Sequence, residues 1–150
     1  MLVELAGKLW RRLPKQVRRW GVRLKESSFT VTAGAVILDE RGRVLLLRHR
    51  FRPGSGWGIP GGFLKPGEQP DEAIRRELRE EIGLEVETVE FALIRTLQAY
   101  NQVEIIFRCR PQSEFSPQNY EVSRAEWFVP DSLPQGLTDD QRALINRAVQ

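Results

Sequence analysis

The sequence predicts an α/β (α+β) protein, one domain built on a mixed β-sheet covered on both faces, preceded by a basic, amphipathic helical arm. Three observations carry this. The 150 residues are 41% hydrophobic and 29% charged, which is enough for one packed core and ordinary for a globular protein. Segments of strand-like period are interleaved with two segments of helical period, the pattern of a sheet with helices on its faces. The charge is also divided: residues 1–28 hold eight basic residues against Glu4 and Glu26. The other 15 basic and 18 acidic residues leave 29–150 slightly acidic, although the whole chain carries +3. The boundaries are therefore an arm over 1–28 and a domain over 29–150.

In the arm, Leu2, Leu5, Leu9, Leu13, Val17, Trp20 and Leu24 recur at steps of three and four, so it reads as an amphipathic helix. Pro14 argues for two helices, because a proline inside a helix costs about 3 kcal/mol but is tolerated in a first turn. Charges recur too often for a membrane span, and no continuous apolar core marks a secretory signal. The Arg-rich, acid-poor composition is also that of an organellar presequence. The apolar stripe suits packing on the domain or on a second copy as a homodimer, or adsorption to an anionic membrane surface with Trp10 and Trp20 at the interface. Nucleic acid is disfavoured, since few aromatics interleave with the basic residues. Cys109 is alone, which excludes an intramolecular disulfide and fits the cytoplasm, at the membrane periphery if the arm adsorbs. His49 is also alone, so zinc sites and Ser–His or Cys–His catalysis lack their partners.

From Phe29 the pattern changes to strands. Residues 29–38 and 43–48 flank the turn-like Asp39-Glu40-Arg41-Gly42 and predict a β-hairpin. A loop over 50–61 leads to a helix over about 70–82, with Pro70 and Asp71 suited to its start and Gly83 to its stop. Residues 87–97 and 103–110 predict strands around a turn at 99–102, and 126–129 a short strand. The final helix starts at Thr138, where Thr138-Asp139-Asp140-Gln141 has the capping-box pattern, and runs to about 148.

The helix over 70–82 carries the chemistry. Glu77, Glu80 and Glu81 stand at i, i+3 and i+4 and share an arc of about 100°. Ile74, Leu78 and Ile82 form an adjacent apolar stripe, and Arg75, Arg76 and Arg79 take most of the remaining circumference. Like charges so spaced cost a helix roughly 0.2–0.5 kcal/mol per pair unless a cation neutralises them. Hard divalent ions such as Mg²⁺ take oxygen ligands, typically one or two carboxylates plus substrate phosphates and water. The preceding loop, Trp57-Gly58-Ile59-Pro60-Gly61-Gly62, permits close backbone approach, so its carbonyls can reach the same ion.

Gly62, Glu68, Arg76, Glu77, Leu78, Glu80, Glu81, Gly83 and Leu84 match every specified position of G-x5-E-x7-R-E-U-x-E-E-x-G-U, with U aliphatic. Segment 62–84 thus resembles the Nudix box. Seven fixed identities at about 7% usage each occur by chance on the order of once in 10⁸ windows. The resemblance implies an α/β/α sandwich and a hydrolase of nucleoside diphosphates linked to another group X, with Mg²⁺ or Mn²⁺ bound at the box. Carried over by position, Glu80 and Glu81 are metal ligands, Glu77 is a further ligand or supporting group, and the Gly61 carbonyl is a backbone ligand. Arg76 and Glu68 brace the loop and helix, with Gly62 and Gly83 as structural positions. A catalytically silent nucleotide-binding module, or an adaptor acting through the arm, is the alternative.

Outside the box, Glu121 precedes the segment ending at Trp127 and Phe128, where the resemblance implies a glutamate that assists the metal or acts as base; Glu126 and Glu114 are lesser candidates. Arg48, Arg50 and Arg52 sit at the mouth of the loop and suit substrate phosphates, because guanidinium forks match phosphate oxygens. Phe51 and Trp57 offer rings for a base. Tyr100 follows Leu84 by sixteen residues, a spacing that in the family resembles that of dinucleoside polyphosphate hydrolases. This places such substrates slightly ahead of ADP-ribose, nucleotide sugars and nucleoside triphosphates.

Overall fold

The structure, a computed structural model, describes residues 4, 10–17 and 27–150. Within the arm, backbone at 10–12 is helical, breaks at Leu13 and Pro14, and is helical again at 15–17, which is the proline break that the sequence predicts. Trp10 and Val17 are exposed. Leu2, Leu5, Leu9, Trp20 and Leu24, and with them the continuous apolar stripe, lie outside the described residues.

Seven strands and two helices build the domain. They are β1 (Thr30–Ile37), β2 (Val44–His49), β3 (Trp57–Gly58), β4 (Gly61–Phe63), α1 (Pro70–Ile82), β5 (Val86–Leu97), β6 (Gln102–Pro111), β7 (Val122–Phe128) and α2 (Asp139–Val149). One sheet is mixed, in the order β4-β1-β6-β5, with β1 parallel to β6 and the other pairs antiparallel. The second is antiparallel, β3-β2-β7.

The predicted hairpin between 29–38 and 43–48 is not formed as a ladder. The turn exists, with Asp39 Oδ1 accepting from the Arg41 and Arg43 N–H groups at 3.0 and 2.7 Å. Beyond it only the bridge Leu38–Val44 joins the two segments, and β1 and β2 then enter different sheets. The short strand expected at 126–129 starts earlier, at Val122, because its ladder with β2 runs from Val44–Phe128 to His49–Val122. The strands expected over 87–97 and 103–110 are present, joined through a short 3₁₀ turn and Asn101 in the left-handed region at φ 46°.

Alternation along β1 and β2 explains the two layers. Ala33, Ala35, Ile37, Leu45 and Leu47 face the cluster under α1 with Ile74, Leu78 and Ile82. Val36, Val44 and Leu46 face the opposite cluster with Ile106 of β6 and with Leu144 and Ile145 of α2. Strands buried on both faces read as continuous apolar runs, as Val44-Leu45-Leu46-Leu47 does. The α/β/α sandwich follows.

Helix α1 starts where the sequence places it, with Pro70 in the first turn and Gln69 and Glu72 closing a reciprocal capping box; Gly83 caps its end at φ 65°. At α2 only half of the expected box forms. Thr138 Oγ1 accepts from the Gln141 N–H at 3.2 Å, but the Gln141 side chain turns away and accepts from the Ile59 N–H at 3.1 Å. The final helix is thereby tied to the loop that opens the Nudix-like segment.

Candidate active site

Strand β4 and helix α1 face each other across the segment 64–69, which sets the glycines of the loop against the acidic side of α1. A Cβ on Gly62 would collide with the Glu77 carboxylate, with Oε1 at 2.5 Å, so the absence of a side chain there is what admits Glu77. Gly61 N–H reaches Glu81 Oε2 at 3.4 Å.

Arg76 is the hub of this half. Its Nε and Nη2 bond both oxygens of Glu68 at 2.7 and 2.9 Å, Nη1 bonds Glu77 at 2.6 Å and Glu80 at 3.2 Å, and Nη2 also reaches the Phe63 carbonyl at 3.1 Å. Glu68 further accepts from the Lys65 N–H. The Arg76 hydrogen bonds first, and that from Lys65 second, hold the Glu68 carboxyl down to about 2. Loop and helix are thus joined through one guanidinium.

The three glutamates of the predicted arc do not converge. Glu81 is 7% exposed, whereas the Glu80 side chain is 53% exposed and is drawn to Arg76 and, at 3.5 Å, to Lys65 Nζ. Among the described residues no three His, Cys, Asp or Glu side chains stand close enough together to hold a metal ion as they are. Arg76 explains the difference, since it lies one turn before Glu80 and competes for that carboxylate.

Glu81 is the pivot of the site. Burial first, and then the charge of Glu77, push its carboxyl up to about 8, with Glu121 adding a smaller contribution. His49 Nε2 stands 3.5 Å from Glu81 Oε1, yet it is buried and makes no hydrogen bond. Burial and the charge of Arg52 push this imidazole down to about 4. Period two along β2 is the sequence signal for His49, which follows Leu45 and Leu47 toward α1 and there meets Glu81. Glu121 is exposed and immediately precedes β7; its carbonyl accepts from the Arg50 N–H at 2.8 Å, which brings it to the end of β2. Glu126 pairs with Arg124, and Glu114 is exposed in the loop after β6.

The residues fit a divalent cation in kind. Buried Glu81, whose proton affinity Glu77 and Glu121 raise, is a carboxyl that a cation would deprotonate and pair, and hard carboxylate oxygens suit such an ion. Glu80 joins them only on leaving Arg76 and Lys65.

The three arginines divide. Arg48 and Arg50 are exposed at an open cavity of about 460 Å³, where Arg48 Nε donates to the Ser55 carbonyl at 3.2 Å. Arg52 instead turns inward over Gly58, between the charges of Glu81 and Glu104, and its buried Nη1 has no hydrogen-bond partner. It lines the same cavity as the other two, but with its Nη1 buried. Trp57 packs edge-on against Phe128 at 5.1 Å, within the cluster under α2, and Phe51 lies edge-on to Tyr120 at 6.0 Å. Tyr100 is 75% exposed at the β5–β6 turn.

Such an arrangement, a glutamate-bearing helix set against a glycine loop in an α/β/α sandwich, is that of a class of enzymes that hydrolyse phosphoanhydrides. The NUDIX domain profile matches residues 28–148, and the chain belongs to that family, the Nudix pyrophosphohydrolases. A MutT-like protein of Streptomyces ambofaciens is 30% identical over 111 residues, covering 73% of this chain and 70% of that one. An NAD-capped RNA hydrolase of Chromobacterium violaceum is 31% identical over 107 residues, 69% of this chain, which spans 40% of that relative's length. The crystal structure of a MutT NUDIX hydrolase from Burkholderia pseudomallei superposes with a TM-score of 0.72 at 28% identity, covering 81% of this chain and 98% of the other.

Proposed function

We propose that the protein hydrolyses the pyrophosphate bond of a nucleoside diphosphate linked to X, with Mg²⁺, or Mn²⁺ in its place, at Glu77, Glu80, Glu81 and the Gly61 carbonyl. The observation that carries this is the buried Glu81 carboxyl, crowded by Glu77 and Glu121. When bound, the ion neutralises phosphoryl oxygens and lowers the pKa of a coordinated water. Glu121, whose charge is felt at Glu81, would take a proton from water near it; that charge effect supports the reading. Arg48 and Arg50 receive phosphate oxygens at the mouth, while Arg76 and Glu68 keep loop and helix in register.

Dinucleoside polyphosphates head the substrates, ahead of ADP-ribose, nucleotide sugars and nucleoside triphosphates. Tyr100 stands at the open β5–β6 end, its ring free for a second base, two residues before Gln102 of the cleft beside the box. The relative that acts on NAD-capped RNA is consistent with a nucleotide-pyrophosphate substrate. A nucleotide panel with Mg²⁺ or Mn²⁺, with products identified after reaction in heavy-oxygen water, tests the proposal and locates the attacked phosphorus. Absence of turnover across the panel, with nucleotide binding retained, would transfer the protein to the silent binding modules.

A further inference from the structure

A second cleft, of about 180 Å³, adjoins the glycine loop and shares Gly61 and Gly62 with the candidate metal site. Register places its walls. Thr30 pairs with Gln102 and Thr32 with Glu104 across the parallel β1–β6 ladder, and Thr32 pairs with Phe63 across β1–β4, so Thr32, Phe63, Gln102 and Glu104 share one face of the sheet. Further along, that face carries Val36 and Ile106 under α2. At the loop it becomes polar.

These polar groups are held in fixed orientations. Arg95 Nε takes Glu104 Oε2 at 2.6 Å and its Nη1 takes Asp140 at 2.8 Å, which leaves Glu104 Oε1 free among the described residues. Gln102 Nε2 donates to Thr32 Oγ1 at 2.7 Å, which leaves its carbonyl as an acceptor. Gln141 Oε1 is held by the Ile59 N–H, which leaves its amide as a donor. Arg52 enters where residue 58 would carry a side chain, with Nη1 buried there, and lines the same cleft. Phe63, 60% exposed, lines the same cleft and offers a ring face. Gln102, Glu104 and Gln141 carry no motif signal in the sequence.

A flat heterocycle whose edge carries donors beside acceptors fits such a wall. Guanine presents N1–H and an exocyclic amine, which a carboxylate accepts, next to O6 and N7, which an arginine meets. Adenine would set the unprotonated N1 against the Glu104 carboxylate and leave a buried acceptor unpaired, the arrangement by which polar sites reject an analogue. We propose that this cleft is the base subsite of the substrate, that it takes a guanine edge, and that Glu104 and Arg52 are its specificity-determining residues. The assignment rests on the hydrolase reading only in that a base seated here places its phosphates beside Glu77 and Glu81.

Equilibrium binding of GMP and AMP by calorimetry, with Mg²⁺ present, tests it without hydrolysis, since neither probe has a pyrophosphate bond. GMP is expected to bind about 10-fold tighter or better, the factor of one good bidentate base contact. Glu104→Gln should bring the two affinities to within about 3-fold, chiefly by weakening GMP. Because Glu104 also holds Arg95, Phe63→Ala serves as the second variant, being exposed and outside that ion pair; it should weaken both nucleotides alike. Equal binding of GMP and AMP, tighter AMP, no binding of either, or a preference that survives Glu104→Gln overturns the proposal. Selective binding without turnover on the substrate panel would instead remove the hydrolase reading and leave the subsite standing.

Discussion

Replacing Glu81 by Gln in metal-free protein should make the fold more stable at alkaline pH. In the folded chain the Glu81 carboxyl titrates at about 8, against an ordinary value of 4.5, and His49 at about 4, against 6.5. Between 4.5 and 6.5 the folded state keeps a Glu81 proton that the unfolded chain has lost, so stability falls with pH. Over the same range it lacks a His49 proton that the unfolded chain holds, so stability rises, and the two slopes offset each other. Above 6.5 Glu81 acts alone, and up to about 8 the wild type loses on the order of 2 kcal/mol at about 1.4 kcal/mol per pH unit. For a chain of this size that is a fall in Tm of roughly 4–8 °C. Glu81→Gln should keep its Tm over that interval, and below it should show the His49 limb alone, gaining stability as pH rises. Circular dichroism melts with EDTA at about pH 6.5 and pH 8.5 read the difference. Added Mg²⁺ should restore the wild-type Tm at the higher pH and do little for the variant. Parallel falls of both proteins would refute the assignment of Glu81 as the buried, under-compensated carboxylate.

Glu80→Gln and Glu81→Gln are each expected to lower kcat by about 10² or more, the scale seen when a positioned electrostatic group is removed; steady-state kinetics showing full activity would exclude that residue from the mechanism. Gly62→Ala should displace the Glu77 carboxylate, the movable end of a flexible side chain, so it should lower turnover while leaving the denaturant midpoint nearly unchanged; a large fall in the midpoint would show that the loop itself is strained. Thr138→Ala removes the cap of α2 and should cost about 1 kcal/mol in the same unfolding assay. Deletion of 1–28 should leave hydrolysis in solution intact, because no described arm residue lines either cavity, while liposome flotation at low and high salt reports whether the arm binds anionic membrane.

Local chemistry was legible and distant pairing was not. The span of α1 followed from Pro70, Gly83 and the apolar stripe, all signals within one helix. The Asp39–Gly42 turn was also written locally, but whether the chain continues into a hairpin depends on β6 and β7, which compete for β1 and β2 from far along the sequence. Helical spacing places Glu77, Glu80 and Glu81 on one arc, yet the direction of each carboxylate depends on Arg76, Lys65 and Gly62, and only the folded loop decides among them. Arg52 was grouped with Arg48 and Arg50 by proximity in sequence. What separates them is a vacant Cβ position on Gly58, invisible until β3 is in place.

That vacancy ties two positions into a single evolutionary unit. The Arg52 guanidinium fills the volume in which residue 58 would carry its side chain, so any residue larger than glycine at 58 ejects the arginine from between Glu81 and Glu104. The clash falls on the far end of a flexible side chain, so a substitution at 58 displaces the guanidinium rather than straining the backbone, and what it removes is the cation between the two carboxylates. Relatives that carry a side chain at 58 are expected to hold any long cation at 52 outside that space, away from the two carboxylates.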